Sequence, residues 1–520
     1  MSNLILAYDI GTASLKTALF DDKLNLIENS SASYEIKYPQ DGWAEQNPLD
    51  YWKAIKKTTG DILKRDKNYR SSIMGLSFAC QMNCTIPVDR NGKPLMNTIS
   101  WLDTRASEVT KAFSKGFFKV SGYPLAKIIR FLRITGGGPG FNGKDPISHI
   151  LWIKKHRPQI YKQTYKFLSV KDFVIQKCTN NFVISRDLAH TSWLMDTRKG
   201  KFEWSQSILE KYGIDGNKLP EIKKLTEHVG TLTKNAAKTL GLNKEIPIIS
   251  GGGDLVSTAI GAGSIENNQF ALCLGTAAWI ATHTDKRKLD LKHYIGPICS
   301  YGSKYLCISK QETGATCLDW AKNNLFKEKI LQLKEEGTNI YQYLDSLIKD
   351  SPPGANEIIF TPWMFGERSP VNNPNIRAGF HNLSLNHKRV DLLRAIYEGV
   401  GYNLLWSLKE LQNLAGETDS IRIIGGGAKS NIWCQIIADI LNKSIFQLKN
   451  PELAGVKGAA IIGLVGLDLL ESFSDAIPFL PIKKQYYPNP AHQNIYSKLF
   501  KAFLSFYEKN EDIFQFLHSS

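Results

Sequence analysis

Long apolar runs are scarce in this 520-residue sequence. The most apolar late stretch, LAGVKGAAIIGLVGLDLL (453–470), contains Lys457 and Asp468 and reads as a buried helix, not a membrane span. The opening MSNLILAYDIGT has no basic region ahead of its apolar residues and meets Asp9 almost at once, unlike a secretory signal. Of eight cysteines only Cys80 and Cys84 are close, and no histidine cluster joins them. That pattern argues against a disulfide framework or a zinc site and for reduced, buried thiols in a cytoplasmic protein. Basic blocks are missing too. The formal charge is +16, yet the lysines are scattered, and the densest run, KEKILQLK (327–334), reads as a solvated helix face. The positive balance therefore suits an anionic small ligand such as a nucleotide better than a nucleic acid or a membrane surface.

What is present is ordinary for a globular protein, with 42% apolar and 22% charged residues, and the length suits two or three domains. Strand and helix signals alternate, which gives the α/β class. LILAY (4–8), KTALF (16–20) and LNLIENSSA (24–32) read as an antiparallel meander, 49–65 as an amphipathic helix, and SIMGLSFA (72–79) as a further strand. Half a chain later, FALCLGTAAWIATHTD repeats the strand–GT–strand shape of ILAYDIGTASLKTALFDD. Two such meanders so far apart indicate two related domains, 1–254 and 255–520, with no low-complexity linker between them.

Three glycine-bearing turns could carry chemistry. In DIGTASLK (9–16), Gly11 permits a tight turn, Thr12, Ser14 and backbone N–H groups offer donors to an anion, Lys16 adds positive charge, and Asp9 is placed to hold Mg²⁺ through water. An ordinary hairpin is the plainer reading. The echo LGTAAW (274–279) supplies Gly275 and Thr276 as a second donor-rich turn. In IPIISGGGDLVSTAIGAG (246–263), a strand runs through three glycines into Asp254 and a helix. Asp254 reads equally as a helix N-cap or as a general base kept ionised by the helix N-terminus. RIIGGGAKSNIWCQIIADIL (422–441) again joins strand, glycines and helix. It lacks G-x-G-x-x-G spacing, but its backbone is bare enough for a flat ring to lie on. GPGFNGKD (138–145) imitates a P-loop, but Asp145 stands where a magnesium-binding hydroxyl belongs. Asp145-Pro146 reads instead as an N-cap with Pro in the first turn of PISHILWIKKH. FACQMNC (78–84) and ISWLDTRA (99–106) offer Gln81, Met82, Asn83 and Trp101 to a sugar, the indole for stacking and the amides for hydroxyls; Asp103 and Arg105 read as a structural ion pair.

In order along the chain, DIGTASLK, GWAEQNP (42–48), WLDTRA, the GGGD loop, TPWMFGERSPVNNPNIRAGFHNLSLNH (361–387) and GGGAKSNIWCQIIAD resemble the motifs of the FGGY carbohydrate kinases, and the resemblance spans nearly the whole chain. It implies two actin/hexokinase-like (ribonuclease-H-like) domains hinged over a central cleft. The first would bind the sugar and the second the nucleotide. The implied activity is ATP-dependent phosphorylation of a small ketose, with xylulose favoured. Alternatives are ribulose, a glycerol-like polyol, or a non-catalytic sensing role. By position, Asp254 is the catalytic base and Asp9 the Mg²⁺ residue. Gly11, Thr12, Ser14, Lys16, Gly275, Thr276, Gly314, Gly426, Gly427, Ala428 and Asn431 are on the ATP side, and Gln81, Met82, Asn83 and Trp101 line the sugar pocket. The partners implied are a small sugar and ATP, with no nucleic acid and no membrane; a homodimer is left open. Two positions depart from the pattern of the xylulose-acting branch. Asn83 stands where a histidine is usual, and Leu255 where an asparagine often follows the base; both alter groups expected to read hydroxyls. The segment TGGGPGFNGKDP (135–146) is an insert at the rim.

Overall fold

The computed structural model describes residues 3–120 and 123–518. Alternating apolar runs and short polar turns build the first sheet. β1 (Leu4–Ile10), β2 (Ser14–Asp21) and β3 (Leu26–Ser33) form the expected antiparallel meander. α1 (Pro48–Leu63) follows, capped by the Asn47 side chain with Pro48 in its first turn. β4 (Ile73–Cys80) then lies parallel to β1. Both central strands are almost wholly buried, as their near-continuous apolar sequences require. The stretch before the next sheet strand holds, among other elements, α2 (Leu125–Thr135), α3 (Pro146–His156) and α4 (Arg186–Thr191). β5 (His228–Thr231), β6 (Pro247–Ile249) and the short β7 (Gly252–Gly253) complete the sheet, in the order β5-β6-β4-β1-β2-β3 with β7 also on β4. α5 (Asp254–Gly261) leaves its edge.

The second sheet repeats this plan. β8 (Phe270–Leu274), β9 (Ala278–Thr284), β10 (Gly296–Cys299), β11 (Tyr305–Lys310), β12 (Ser420–Ile424), β13 (Ser444–Leu448) and β14 (Ile482–Tyr486) run in the order β10-β11-β9-β8-β12-β13-β14. β8 pairs antiparallel with β9 and parallel with β12, as β1 does with β2 and β4. The internal echo in the sequence is therefore a repeated sheet order.

Two helices of the second half matter for the site. α6 (Asn431–Leu441) follows the last glycine turn, and α7 (Ala454–Gly466) returns to the first sheet, packing on β1, β4 and α5. Residues 454–464 of α7 are all buried, which explains why that stretch is so apolar. The approach of α5 to α7 depends on glycine. A Cβ on Gly458 would lie 1.7 Å from the Ser257 carbonyl oxygen, and one on Gly261 1.9 Å from that of Ala454. The lysine-rich run forms a helix (Lys327–Glu335) with only Leu333 buried. All eight cysteines are free and seven are buried. Among the described residues no helix is long and apolar enough to cross a membrane.

Candidate active site

Three strands end side by side at one edge of the first sheet. Asp9 stands opposite Ala79 across β1 and β4, and Ala79 opposite Gly252 across β4 and β7. Asp254 comes two residues after Gly252, so the two carboxylates flank the end of β4. Gly253 holds the N-cap position of α5, Asp254 is the first helical residue, and no side chain caps the helix. The helix-cap reading of Asp254 thus fails by one residue. Both carboxylates are half-buried. Burial, and then the charge of Asp9, push Asp254 up to about 7; Lys310 and the Leu255 backbone N–H act the other way. Burial likewise raises Asp9, opposed by Lys16. The Asp9 carboxylate accepts no hydrogen bond and joins no ion pair among the described residues. α7 comes up against it, since a Cβ on Gly455 would sit 2.4 Å from Asp9 Oδ2.

The first GT turn is tied to the motifs read from the sequence as the sugar side. Gly11 N–H donates to the Ser14 carbonyl at 3.0 Å, closing the hairpin. Trp101 Nε1 donates to Thr12 Oγ1 at 3.0 Å, and Gln46 Nε2 to the Thr12 carbonyl at 2.8 Å. Gln81 is fully buried; its Nε2 donates to Gln46 Oε1 at 2.8 Å, while its own Oε1 has no partner among the described residues. Lys16 Nζ reaches the Glu452 carbonyl at 3.2 Å, in the turn before α7. Met82 lies against Gly253, where a Cβ would meet its sulfur at 2.8 Å. Asn83 adopts a left-handed backbone, φ 57°, and its Nδ2 donates to Asp145 Oδ1 at 3.3 Å.

The residues read from the sequence as the nucleotide side also converge. Gly314 N–H donates to the Thr276 carbonyl at 2.9 Å, and Ala315 N–H to that of Gly275 at 2.8 Å. Gly425, at φ 93°, and Gly427 pack on Leu274, directly before Gly275; Gly426 is exposed, with open space where a Cβ would be. Ala428 is buried, its carbonyl accepting from Gln447 Nε2 at 2.6 Å, and Asn431 Oδ1 accepts from Tyr486 OH at 2.8 Å. Ser430, given no role in the motif reading, caps α6 by accepting from Trp433 N–H at 3.0 Å.

Other neighbours escaped the sequence reading. Lys310, at the end of β11, senses both Asp254 and Asp145; burial and Arg368 push its ammonium down to about 8. Asp187 accepts from Gly253 N–H and so fixes the strand end before Asp254. Asp145 occupies the N-cap position of α3 but makes no capping bond. Its carboxylate instead turns to Gly140 N–H, Asn83 and Trp193. These residues belong to no spaced pattern; only the tertiary fold unites them. Asp103 and Arg105 form the expected buried ion pair, 2.7 Å apart, with Glu45 joining at 2.8 Å and the guanidinium stacked on Trp43.

The repeated sheet order defines the class, a two-domain α/β kinase fold of the actin and hexokinase type. Residues 4–261 match the N-terminal domain, and residues 271–467 the C-terminal domain, of the FGGY family of carbohydrate kinases, and the chain belongs to that family. It is an ATP-dependent carbohydrate kinase. It is 27% identical to a xylulose kinase of Staphylococcus epidermidis over 99% of this chain and 98% of that one. It is 28% identical to a gluconokinase of Bacillus subtilis over 92% of this chain and 90% of that one. The fold matches the crystal structure of a xylulose kinase from Lactobacillus acidophilus with a TM-score of 0.87 at 24% identity, covering 98% of each chain.

Proposed function

We propose that this enzyme transfers the γ-phosphoryl group of ATP to a hydroxyl of xylulose, with Asp254 as the base. The observation that carries the base assignment is the placement of Asp254 at the head of α5, beside Asp9 and within the field of Lys310. The substrate assignment is supported by full-length likeness to xylulose kinases. The sugar oxygen attacks the γ-phosphorus as the bond to ADP breaks, and Asp254 takes the hydroxyl proton. The Thr12 and Thr276 turns offer backbone and hydroxyl donors to the triphosphate, and the 425–428 turn offers a bare surface to adenosine. The nucleotide thus falls to the second half, 255–520, and the sugar mainly to the first, 1–254.

Asp9 fits Mg²⁺, because it is an oxygen ligand, partly desolvated and without a hydrogen-bond partner among the described residues. When bound, the ion would neutralise charge on the transferring phosphoryl. Asp9 would hold it directly or through water, and Lys16 adds positive charge on the neighbouring strand.

A coupled ADP-release assay over ketoses, polyols and sugar acids tests the assignment. Sugar-dependent ADP release with highest kcat/KM for xylulose is the expected result. Preference for another sugar by about tenfold or more overturns the substrate, and ADP release without a phosphorylated sugar overturns the reaction.

A further inference from the structure

The glycine-rich insert delivers a carboxylate to the sugar side of the site. Asp145 is 8% exposed, and its two oxygens take three donors: Trp193 Nε1 at 3.0 Å, Asn83 Nδ2 at 3.3 Å and Gly140 N–H at 2.6 Å. A carboxylate has about four acceptor positions, so Oδ2, with one donor, keeps acceptor capacity. The insert's glycines make this seat possible, because a Cβ on Gly137 would lie 2.7 Å from the Trp193 ring. A short path joins Asp145 to the proposed base. Asn83 holds Asp145, the adjacent Met82 packs on Gly253, and Asp254 follows. Lys310 and Arg368, both from the second half, act on the Asp145 charge, so it faces across toward that half.

Two buried polar atoms beside this carboxylate have no partner among the described residues, Asn83 Oδ1 and Tyr123 OH. Tyr123 is 6% exposed, and Asp145 is the charge that most affects its hydroxyl. Buried polar atoms are rarely left unpaired, so groups that complete them are expected from outside the protein. Asp145 Oδ2 and Asn83 Oδ1 are both acceptors and call for donors. A sugar hydroxyl provides one; the carboxylate of a sugar acid does not. The nearby cations are already matched by acids: Arg368 Nε donates to Glu312 at 2.7 Å, Lys310 is shared between Asp254 and Asp145, and Lys144 lies in the field of Glu312 and Asp145.

We infer that Asp145, with Asn83 and Tyr123, is a specificity-determining group that accepts hydroxyls of a neutral sugar and rejects sugar acids. This rests on the carbohydrate-kinase reading of the same cleft and adds the class of substrate. The test measures wild type, Asp145→Asn and Tyr123→Phe with xylulose and gluconate, together with thermal melting and KM for ATP. In Asp145→Asn, KM for xylulose should rise by about tenfold or more, the xylulose-to-gluconate ratio of kcat/KM should fall by a similar factor, and KM for ATP should stay within about twofold. Tyr123→Phe, which keeps the ring and the Asp145 seat, should raise KM for xylulose by about threefold or more without lowering the melting temperature. Unchanged sugar KM and selectivity in a folded Asp145→Asn enzyme overturn the inference. So does a Tyr123→Phe enzyme indistinguishable from wild type, if Asp145→Asn fails to fold. A wild type that prefers gluconate overturns it too, while leaving the kinase class standing. Preference for another neutral sugar overturns only the choice of xylulose, and that sugar then replaces xylulose in the same comparison.

Discussion

Trp101 Nε1 donates a hydrogen bond to Thr12 Oγ1 at 3.0 Å, joining a residue of the proposed sugar side to the proposed first phosphate turn. The Thr12 hydroxyl still has its own hydrogen to donate, and the indole fixes where it points. Trp101→Phe keeps the aromatic body and removes this one donor. The expected result is a fall in kcat/KM for ATP of about fivefold, the size of one ordinary hydrogen bond, with little change in melting temperature. Steady-state kinetics at saturating sugar, alongside thermal melting, check it.

Asp254→Asn keeps the shape of the side chain and removes the proton acceptor. Turnover should fall by about 10²–10⁴-fold, the usual worth of a general base, while nucleotide affinity stays within about twofold. Titration calorimetry with ADP and ADP-release kinetics on the same preparation separate the two effects. Near-normal turnover would remove Asp254 from the role.

Gly455→Ala adds one methyl group 2.4 Å from Asp9 Oδ2 and 3.2 Å from Thr258 Oγ1. The nearest atom is the free end of a side chain, so Asp9 must swing aside while the helix pair holds. Activity should drop by about tenfold or more, and a higher Mg²⁺ concentration should be needed for half-maximal rate. Gly458→Ala is the contrasting case, because its methyl meets backbone. It should destabilise the fold by about 3 kcal/mol or more. Thermal melting of the two variants distinguishes them.

His190 links the two halves. Its Nδ1 accepts from Cys299 N–H at 2.8 Å and its Nε2 donates to the Thr135 carbonyl at 2.7 Å, which fixes the neutral tautomer. Burial pushes its pKa down to about 4. The unfolded value is about 6.5, so in this pH window the unfolded chain binds the extra proton. The stability His190 contributes is complete above pH of about 6.5 and is lost as pH falls toward about 4, with a slope of up to about 1.4 kcal/mol per pH unit. His190→Gln should therefore be less stable than wild type at pH 7.5, and the gap should narrow on acidification. Paired urea melts at both ends of the range measure it.

Much of this was legible in the sequence because it lies in local spacing. The meander 4–33, the helix 49–65 and the GT–strand echo follow from apolar period and turn residues, and each is present. The order of the glycine turns was equally readable. What was missed had both local and distant causes. Asp254 read equally as a cap or a base, and Gly253, with φ −70° and ψ 158°, takes the cap position instead. Asp145 had the right sequence neighbours for a cap, and Trp193 and Asn83, 48 and 62 residues away along the chain, drew its carboxylate elsewhere. No periodicity encodes such distant partners. The same holds for Lys310, whose neighbours come from both halves.

The return of α7 to the first sheet bears on how the chain is made. The four strands at the heart of that sheet are complete by Cys80, yet the helix that covers β1 and β4 is not translated until residues 454–466. A nascent chain stalled before that point presents bare apolar strands to solvent, a natural target for holding chaperones and for aggregation. The first half to be synthesised is thus among the last to be finished, and a gene fragment that ends with the 254–261 helix encodes a sheet without its lid.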